Sequence, residues 1–135
     1  MSQSKNCQGA TALRVLVVDD NEDAADMLCM ALEIEGHAPV HAYDAAQALE
    51  RAAEFTPDVI LLDLSLPDGD GFEVCRRMRA FLPKGDVCII AVTGWGSAES
   101  EARALREGFN DYLVKPVEVL RILEAAKLCQ AAIAK

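Results

Sequence analysis

Val59-Ile60-Leu61-Leu62-Asp63-Leu64-Ser65-Leu66-Pro67 is a short apolar run that ends on one acidic residue and then turns. Four large apolar residues with no polar alternation predict a strand buried on both faces, the habit of a parallel sheet covered by helices. A carboxylate at the carboxyl end of such a strand lies at the sheet edge where open α/β folds place their ligands. A lone Asp at this point would more often be a turn residue leading to Pro67 than part of a site. Asp63 is not alone.

Working outward, Leu13 to Val18 (LRVLVV) is a second near-continuous apolar strand, and it too ends on acid, Asp19-Asp20-Asn21-Glu22-Asp23. From Asp23 to about Glu35, residues Ala24, Met27, Leu28, Ala31, Leu32 and Ile34 recur at helical spacing before the stop at Gly36. Ala38 to Ala42 predicts a strand, and Ala45 to Phe55 a helix stopped before Pro57. After Asp63, Pro67 to Gly71 is a turn cluster, and Phe72 to Phe81 a helix with Val74, Cys75, Met78 and Phe81 inward. Val87 to Val92 predicts a fourth strand, leading to Thr93-Gly94-Trp95-Gly96, and Ala98 to Glu107 a fourth helix. Tyr112 to Val114 leads into Lys115-Pro116, and Val117 to about Ile133 is the last helix. Five strands alternating with five helices predict a doubly wound α/β fold around a five-stranded parallel sheet. Residues 1–12 carry no periodic apolar pattern and read as a disordered tail, with 13–135 as one domain.

Composition narrows the function. The 135 residues suffice for one core. A net charge of -9 opposes direct binding to nucleic acid or to anionic membranes. The start of the chain is no signal peptide, and no run of about eighteen apolar residues offers a transmembrane helix. The five cysteines are odd in number and never in C-x-x-C spacing, which argues against a disulfide framework and a zinc site. They read as reduced, mostly buried thiols of a soluble, cytoplasmic protein.

In a parallel sheet all carboxyl ends face one side, so Asp19, Asp20, Asp63, Thr93 and Lys115 converge there. With strand order 2-1-3-4-5 the first and third strands are neighbours, and their three carboxylates meet in one pocket. Carboxylates so placed repel unless a cation joins them, and an oxygen-only ligand set with room for water suits Mg2+. Asp63 could then accept a phosphoryl group as nucleophile, with the metal and Lys115 offsetting its charge and Thr93 bonding an oxygen. Taken singly, Asp19 and Asp20 read as helix caps, Thr93 as a strand end and Lys115 as a solvated charge. Their joint placement at separate strand ends is what favours a site.

These residues, in the segments VLVVDDNED, VILLDLSLPDGDGFEV, IIAVTGW and DYLVKP, resemble the receiver domain of two-component response regulators over about Leu13 to Ala126. The resemblance is to the single-domain type. It implies a flavodoxin-like fold and a phosphoprotein modified at Asp63 by a histidine kinase or histidine phosphotransfer protein of a phosphorelay. It implies Mg2+ held by Asp20, Asp63 and the backbone carbonyl of Ser65, with Asp19 assisting, and a cis peptide between Lys115 and Pro116. It also implies that phosphorylation draws the Thr93 hydroxyl inward and that Tyr112 follows, altering the surface of the fourth helix, fifth strand and fifth helix. On the fifth helix, Val119, Ile122, Leu123 and Ala126 face inward, while Leu120, Leu128 and Ala131 form a second apolar side. Gly94 and Trp95 lie at the pocket rim, where Trp95 either shields the acyl phosphate or packs on the surface. His37 and His41 sit away from the acidic end.

The function predicted is a phosphorylation-controlled binding module with no attached output domain, catalysing only its own phosphorylation and dephosphorylation. Its downstream protein target is unknown, and it is a monomer or a phosphorylation-linked dimer. An aspartate-nucleophile phosphatase would need Asp-x-Asp after the first strand, where this chain has Asp-Asp-Asn. A receiver segment cut from a hybrid kinase fits the same residues, but the initial Met and polar start favour a free-standing protein.

Overall fold

The structure, a computed structural model, describes residues 12–82 and 87–133. Apart from Ala12, the expected tail lies outside the described residues. The main sheet comprises β1 (Arg14–Val18), β2 (Ala38–Ala42), β3 (Val59–Asp63), β4 (Cys88–Thr93) and β5 (Asp111–Val114). All pairings are parallel, in the order β2-β1-β3-β4-β5. The helices are α1 (Glu22–Ile34), α2 (Ala45–Phe55), α3 (Gly71–Phe81), α4 (Ala98–Arg106) and α5 (Val119–Ile133). A two-residue antiparallel ladder, Ser65–Leu66 against Gly69–Asp70, occupies the turn cluster after Asp63. Element ends fall within a residue or two of the sequence reading.

The period of two in the strands sorts the core into two layers. Leu16, Val18, Ile60, Leu62, Ile89 and Ala91 point to one face, under α2, α3 and α4. Val15, Val17, Val59, Leu61, Cys88 and Ile90 point to the other, under α1 and α5. Every residue of β3 is buried, as its unbroken apolar run requires. Each Leu or Ile so enclosed contributes about 1.5–3 kcal/mol of transfer free energy.

Caps fix where the helices begin beside the strand ends. The side chains of Asn21, Asp44, Asp70 and Ser97 accept hydrogen bonds from the first-turn amides of α1, α2, α3 and α4. Asp68, in the turn after β3, accepts from the amides of Ala45 at 2.7 Å and Ala46 at 3.3 Å, tying that turn to the start of α2. Gly36 ends α1 with φ +91°.

Three expectations need correction. The buried face of α1 is Ala25 and Leu32 with Leu28 and Cys29 packed alongside, whereas Met27, Met30 and Ile34 are 69%, 60% and 81% exposed. Two apolar stripes of nearly equal strength run along this helix, and helical spacing alone does not choose between them. On α3 the inward aromatic is Phe72, edge-on to Phe109, while Phe81 at the last turn is exposed. The cysteines are not all free: Cys88 of β4 and Cys129 of α5 form a disulfide across the α5 face of the sheet. Their sequence separation of 41 residues left no local signal.

Among the described residues no helix is long and apolar enough to cross a membrane. Gly71 is where the fold admits no side chain, since an added Cβ would lie 2.7 Å from the Leu64 Cα. Gly71→Ala should cost about 1–3 kcal/mol, the scale of overpacking. Gly94→Ala, where nothing lies within 4 Å, should stay within about 0.5 kcal/mol. Equal denaturation midpoints for the two variants would contradict the close approach at Gly71.

Candidate functional site

The site is built at the carboxyl edge of β1, β3, β4 and β5. Asp63 is the last residue of β3 and pairs in register with Val92, so Thr93 of β4 lies one residue further along the same edge. Asp19 and Asp20 follow β1 directly, and Lys115 follows β5. One carboxylate oxygen from each of Asp19, Asp20 and Asp63 lies within 4.8 Å of the others, with Asp19 and Asp63 buried and Asp20 exposed. Lys115 Nζ donates to Asp63 Oδ2 at 2.9 Å and to Asp19 Oδ2 at 3.0 Å. The second oxygens are also used: Asp63 Oδ1 accepts from the Ser65 amide at 2.8 Å, and Asp19 Oδ1 from the Asn21 amide at 3.0 Å. The Lys115–Pro116 peptide is cis, as expected.

Thr93 is buried beside this group, but its hydroxyl serves its own loop. Its Oγ1 accepts from the Trp95 amide at 3.1 Å and lies 3.3 Å from the Trp95 carbonyl, to which it donates. The Trp95 side chain is 85% exposed, so its backbone and not its indole engages the site residues. Tyr112 is 9% exposed and its buried hydroxyl has no hydrogen-bond partner among the described residues. In this state Tyr112 lies inside while the Thr93 hydroxyl is held by its loop. Neither histidine reaches the acidic edge, and His37 Nδ1 accepts from the Leu13 amide at 2.9 Å. Sequence reasoning missed the amides of Ser65 and Asn21, whose signal was the Asp-x-Ser and Asp-x-Asn spacing that lets a carboxylate bond the amide two residues on.

Burial strips water from the Asp63 carboxylate and raises its pKa above the usual 3.8, outweighing the hydrogen bonds from Lys115 and Ser65; Asp19 adds repulsion. Burial pulls the Lys115 ammonium the other way from its two partners, but the hydrogen bonds and charges of Asp63 and Asp19 prevail and its pKa is raised above 10.5. Linkage gives each a sign. Asp63, raised in the fold, favours folding below 3.8 and loses that contribution as pH climbs through its folded value. Lys115, also raised, contributes fully below 10.5 and loses it only as pH climbs through its folded value. At neutral pH the ionised Asp63 is a cost and the Lys115 ammonium a support. A closely grouped, all-oxygen donor set beside a turn open to water fits a small hard divalent cation such as Mg2+.

The family model of the response regulator receiver domain matches residues 15–127. A 14.6 kDa protein of the sodA1 3' region in Leptolyngbya boryana is 40% identical over 117 residues, covering 86% of this chain and 88% of that protein. Longer relatives match over about half their length: the transcriptional regulator RpaA of Synechocystis is 34% identical over 82% of this chain but 46% of its own. A CheY-like receiver domain protein from Methanospirillum hungatei superposes with TM-score 0.82 at 30% identity, covering 92% of this chain and 98% of that one. A response regulator from Burkholderia pseudomallei, solved with a phosphorylated aspartic acid and a calcium ion, gives TM-score 0.79 at 32% identity, covering 90% and 73%. The sheet order and these neighbours make the fold flavodoxin-like.

The cost at Asp63 is testable without any ligand. In a chelating buffer at pH 7, Asp63→Asn should unfold at a higher temperature than the wild type, with the gap closing as pH falls toward 3.8. A lower unfolding temperature for the variant at pH 7 would contradict the burden assigned to this carboxylate.

Proposed function

This chain belongs to the response regulator receiver domain family, and on that premise we propose that it takes a phosphoryl group from a phosphohistidine onto Asp63 and signals through phosphorylation-dependent protein contacts. The observation that carries this reading is the Lys115 ammonium set between Asp63 and Asp19, with Asp20 completing the group. Such an arrangement presents a nucleophilic carboxylate with positive charge already beside it.

An Asp63 oxygen attacks phosphorus, an O–P bond forms, and the P–N bond to the donor imidazole breaks. The electron pair passes to the imidazole nitrogen, which takes up a proton. Lys115 offsets charge on the phosphoryl oxygens, at the cost of loosening its contact with Asp63. Thr93, released from the Trp95 amide, would present its hydroxyl to those oxygens. Asp20, Asp63 and the Ser65 carbonyl, with Asp19 assisting, would hold Mg2+, which supplies further neutralisation of charge on the transferring group. Beyond this self-modification and its reversal by water, the reading assigns the chain no turnover of other substrates.

A histidine kinase or histidine phosphotransfer protein is the donor, as for the family, and a cytoplasmic location goes with it. The exposed Met27, Met30 and Ile34 support a docking role for α1, since its amino end borders the acidic pocket and methionine adapts to varied partners. On the far side, Leu105 of α4, Val114 of β5 and Leu120 and Leu128 of α5 are 50%, 47%, 65% and 67% exposed, supporting an output face there. The phosphoryl group biases that face through Thr93 and Tyr112 by on the order of 1–3 kcal/mol of coupling. The Tyr112 hydroxyl, without a partner among the described residues, is the feature that would gain one.

Acetyl phosphate with Mg2+ should add one phosphoryl group to the wild type and none to Asp63→Asn, read by intact mass. Asp20→Ala should weaken Mg2+ binding by tenfold or more, on the order of the loss when a carboxylate leaves so small a ligand set; Trp95 fluorescence can report it. Thr93→Ala should still be modified yet lose the phosphorylation-linked chemical shift changes in α4 and α5. Stoichiometric labelling of Asp63→Asn would overturn the assignment.

A further inference from the structure

Helix α5 is held on the sheet by few large side chains. Its most buried positions are Ile122, Ala125, Ala126 and Cys129, so three of the four are small. Small side chains remove little apolar area from water, and among the described residues beyond Cys129 the apolar side chain that packs inward is the half-buried Ile133. The Cys88–Cys129 bond, with Cα atoms 6.2 Å apart, is therefore the main anchor of the helix's second half. It also lies at the opposite edge of the sheet from the acidic pocket, because Cys88 opens β4 beside Val59 whereas Asp63 closes β3 beside Val92.

The two residues are both buried but differ in degree. Cys88 is fully enclosed, while Cys129 is 9% exposed and lines a surface depression with Asn110, Asp111, Ala125, Leu128 and Ile133. Cys29 and Cys75 are free, and burial pushes both thiols up to about 11, so they stay protonated and slow to react at neutral pH. In a reducing compartment a disulfide is as a rule transient and regulatory.

We propose that Cys88 and Cys129 form a reversible oxidation site, closed by a peroxide and opened by a small dithiol, whose state sets how firmly the second half of α5 is held on the sheet. In closing, the Cys129 sulfur attacks hydrogen peroxide, an S–O bond forms, the O–O bond breaks and water leaves. The Cys88 sulfur then attacks Cys129, the S–S bond forms and the sulfenic oxygen departs as a second water, so two thiols are oxidised and one peroxide reduced. In opening, a dithiol enters by the depression that Cys129 lines, attacks the Cys129 sulfur and releases Cys88 as thiol. The second thiol of the reagent then frees Cys129, and the reagent leaves as its own disulfide. The reducing compartment and the bearing on output, through exposed Leu120 and Leu128 of α5, rest on the receiver reading given above; the pairing of Cys88 with Cys129 does not.

The full chain should be treated with dithiothreitol or with hydrogen peroxide under native conditions. Alkylation and peptide mapping should then find the Cys88–Cys129 pair lost in the first case and regained in the second, with Cys29 and Cys75 alkylated only slowly. Amide exchange over residues 126–133 should quicken about fivefold or more on reduction, while β1 and β3 are unchanged. Cys129→Ser should match the reduced wild type and ignore peroxide, and Cys29→Ser should behave as the wild type. Failure of the pair to form, opening only in denaturant, or unchanged exchange at 126–133 would each overturn the proposal. Asp63 labelling by acetyl phosphate, measured in the same samples, should be the same in both redox states. Its absence from both would count against the receiver reading and leave the thiol result standing.

Discussion

The ammonium of Lys115, bonded at once to Asp19 and Asp63, is the interaction on which the rest of the arrangement depends. Ending buried parallel strands in carboxylates places charge where water is scarce, and that charge must be met by a cation or be lost to protonation. The strand order decides which residue can supply it. Lys115 follows β5, and Asp63 ends β3 with β4 between them, a span of two strand spacings or about 10 Å. Only a long, flexible cationic side chain crosses that distance while its stem covers apolar surface. The same order brings β1 against β3, so that Asp19 and Asp20 arrive beside Asp63 with no further device.

The two faces of the sheet are packed differently. The layer under α2, α3 and α4 holds Phe72, Met78, Phe109 and Tyr112, large groups that fix α3 and leave Tyr112 close to Thr93's strand. The layer under α5 relies on Ile122, two alanines at 125 and 126 and one disulfide. A helix held so lightly is easier to move than one anchored by aromatic rings. An ion-pair group joins α3 to α4 on the other side, where Glu107 meets Arg76 and Arg103, and Arg103 stacks on Phe72.

Much of this was legible because it follows from local rules. Unbroken apolar runs at 15–18, 59–62 and 88–92 can only be two-sided strands in a chain this short, and an acid or lysine directly after such a run has one place to go. What stayed hidden involves choices between equal local patterns or contacts distant in sequence. Met27, Met30 and Ile34 look as core-like as Ala25, Leu28 and Leu32, and only the packing of α1 on the sheet distinguishes them. Cys129 extends the inward spacing of Ile122 and Ala126, and Cys88 alternates with Ile90 on the same face, so their meeting was implicit in the two periodicities once the topology is known. The outward turn of Trp95 and the inward Tyr112 depend on rotamers, which sequence periods do not specify.

Titration of the Asp63 carboxyl carbon by NMR, first in chelator and then with Mg2+, tests the central claim most directly. Burial against Lys115 and Asp19 predicts that the metal-free carboxyl titrates above 3.8 and that added Mg2+ moves the midpoint down. A midpoint at or below 3.8 without metal, unmoved by Mg2+, would mean that Asp63 is an ordinary solvated carboxylate and that the strand ends do not form a phosphoryl-accepting site.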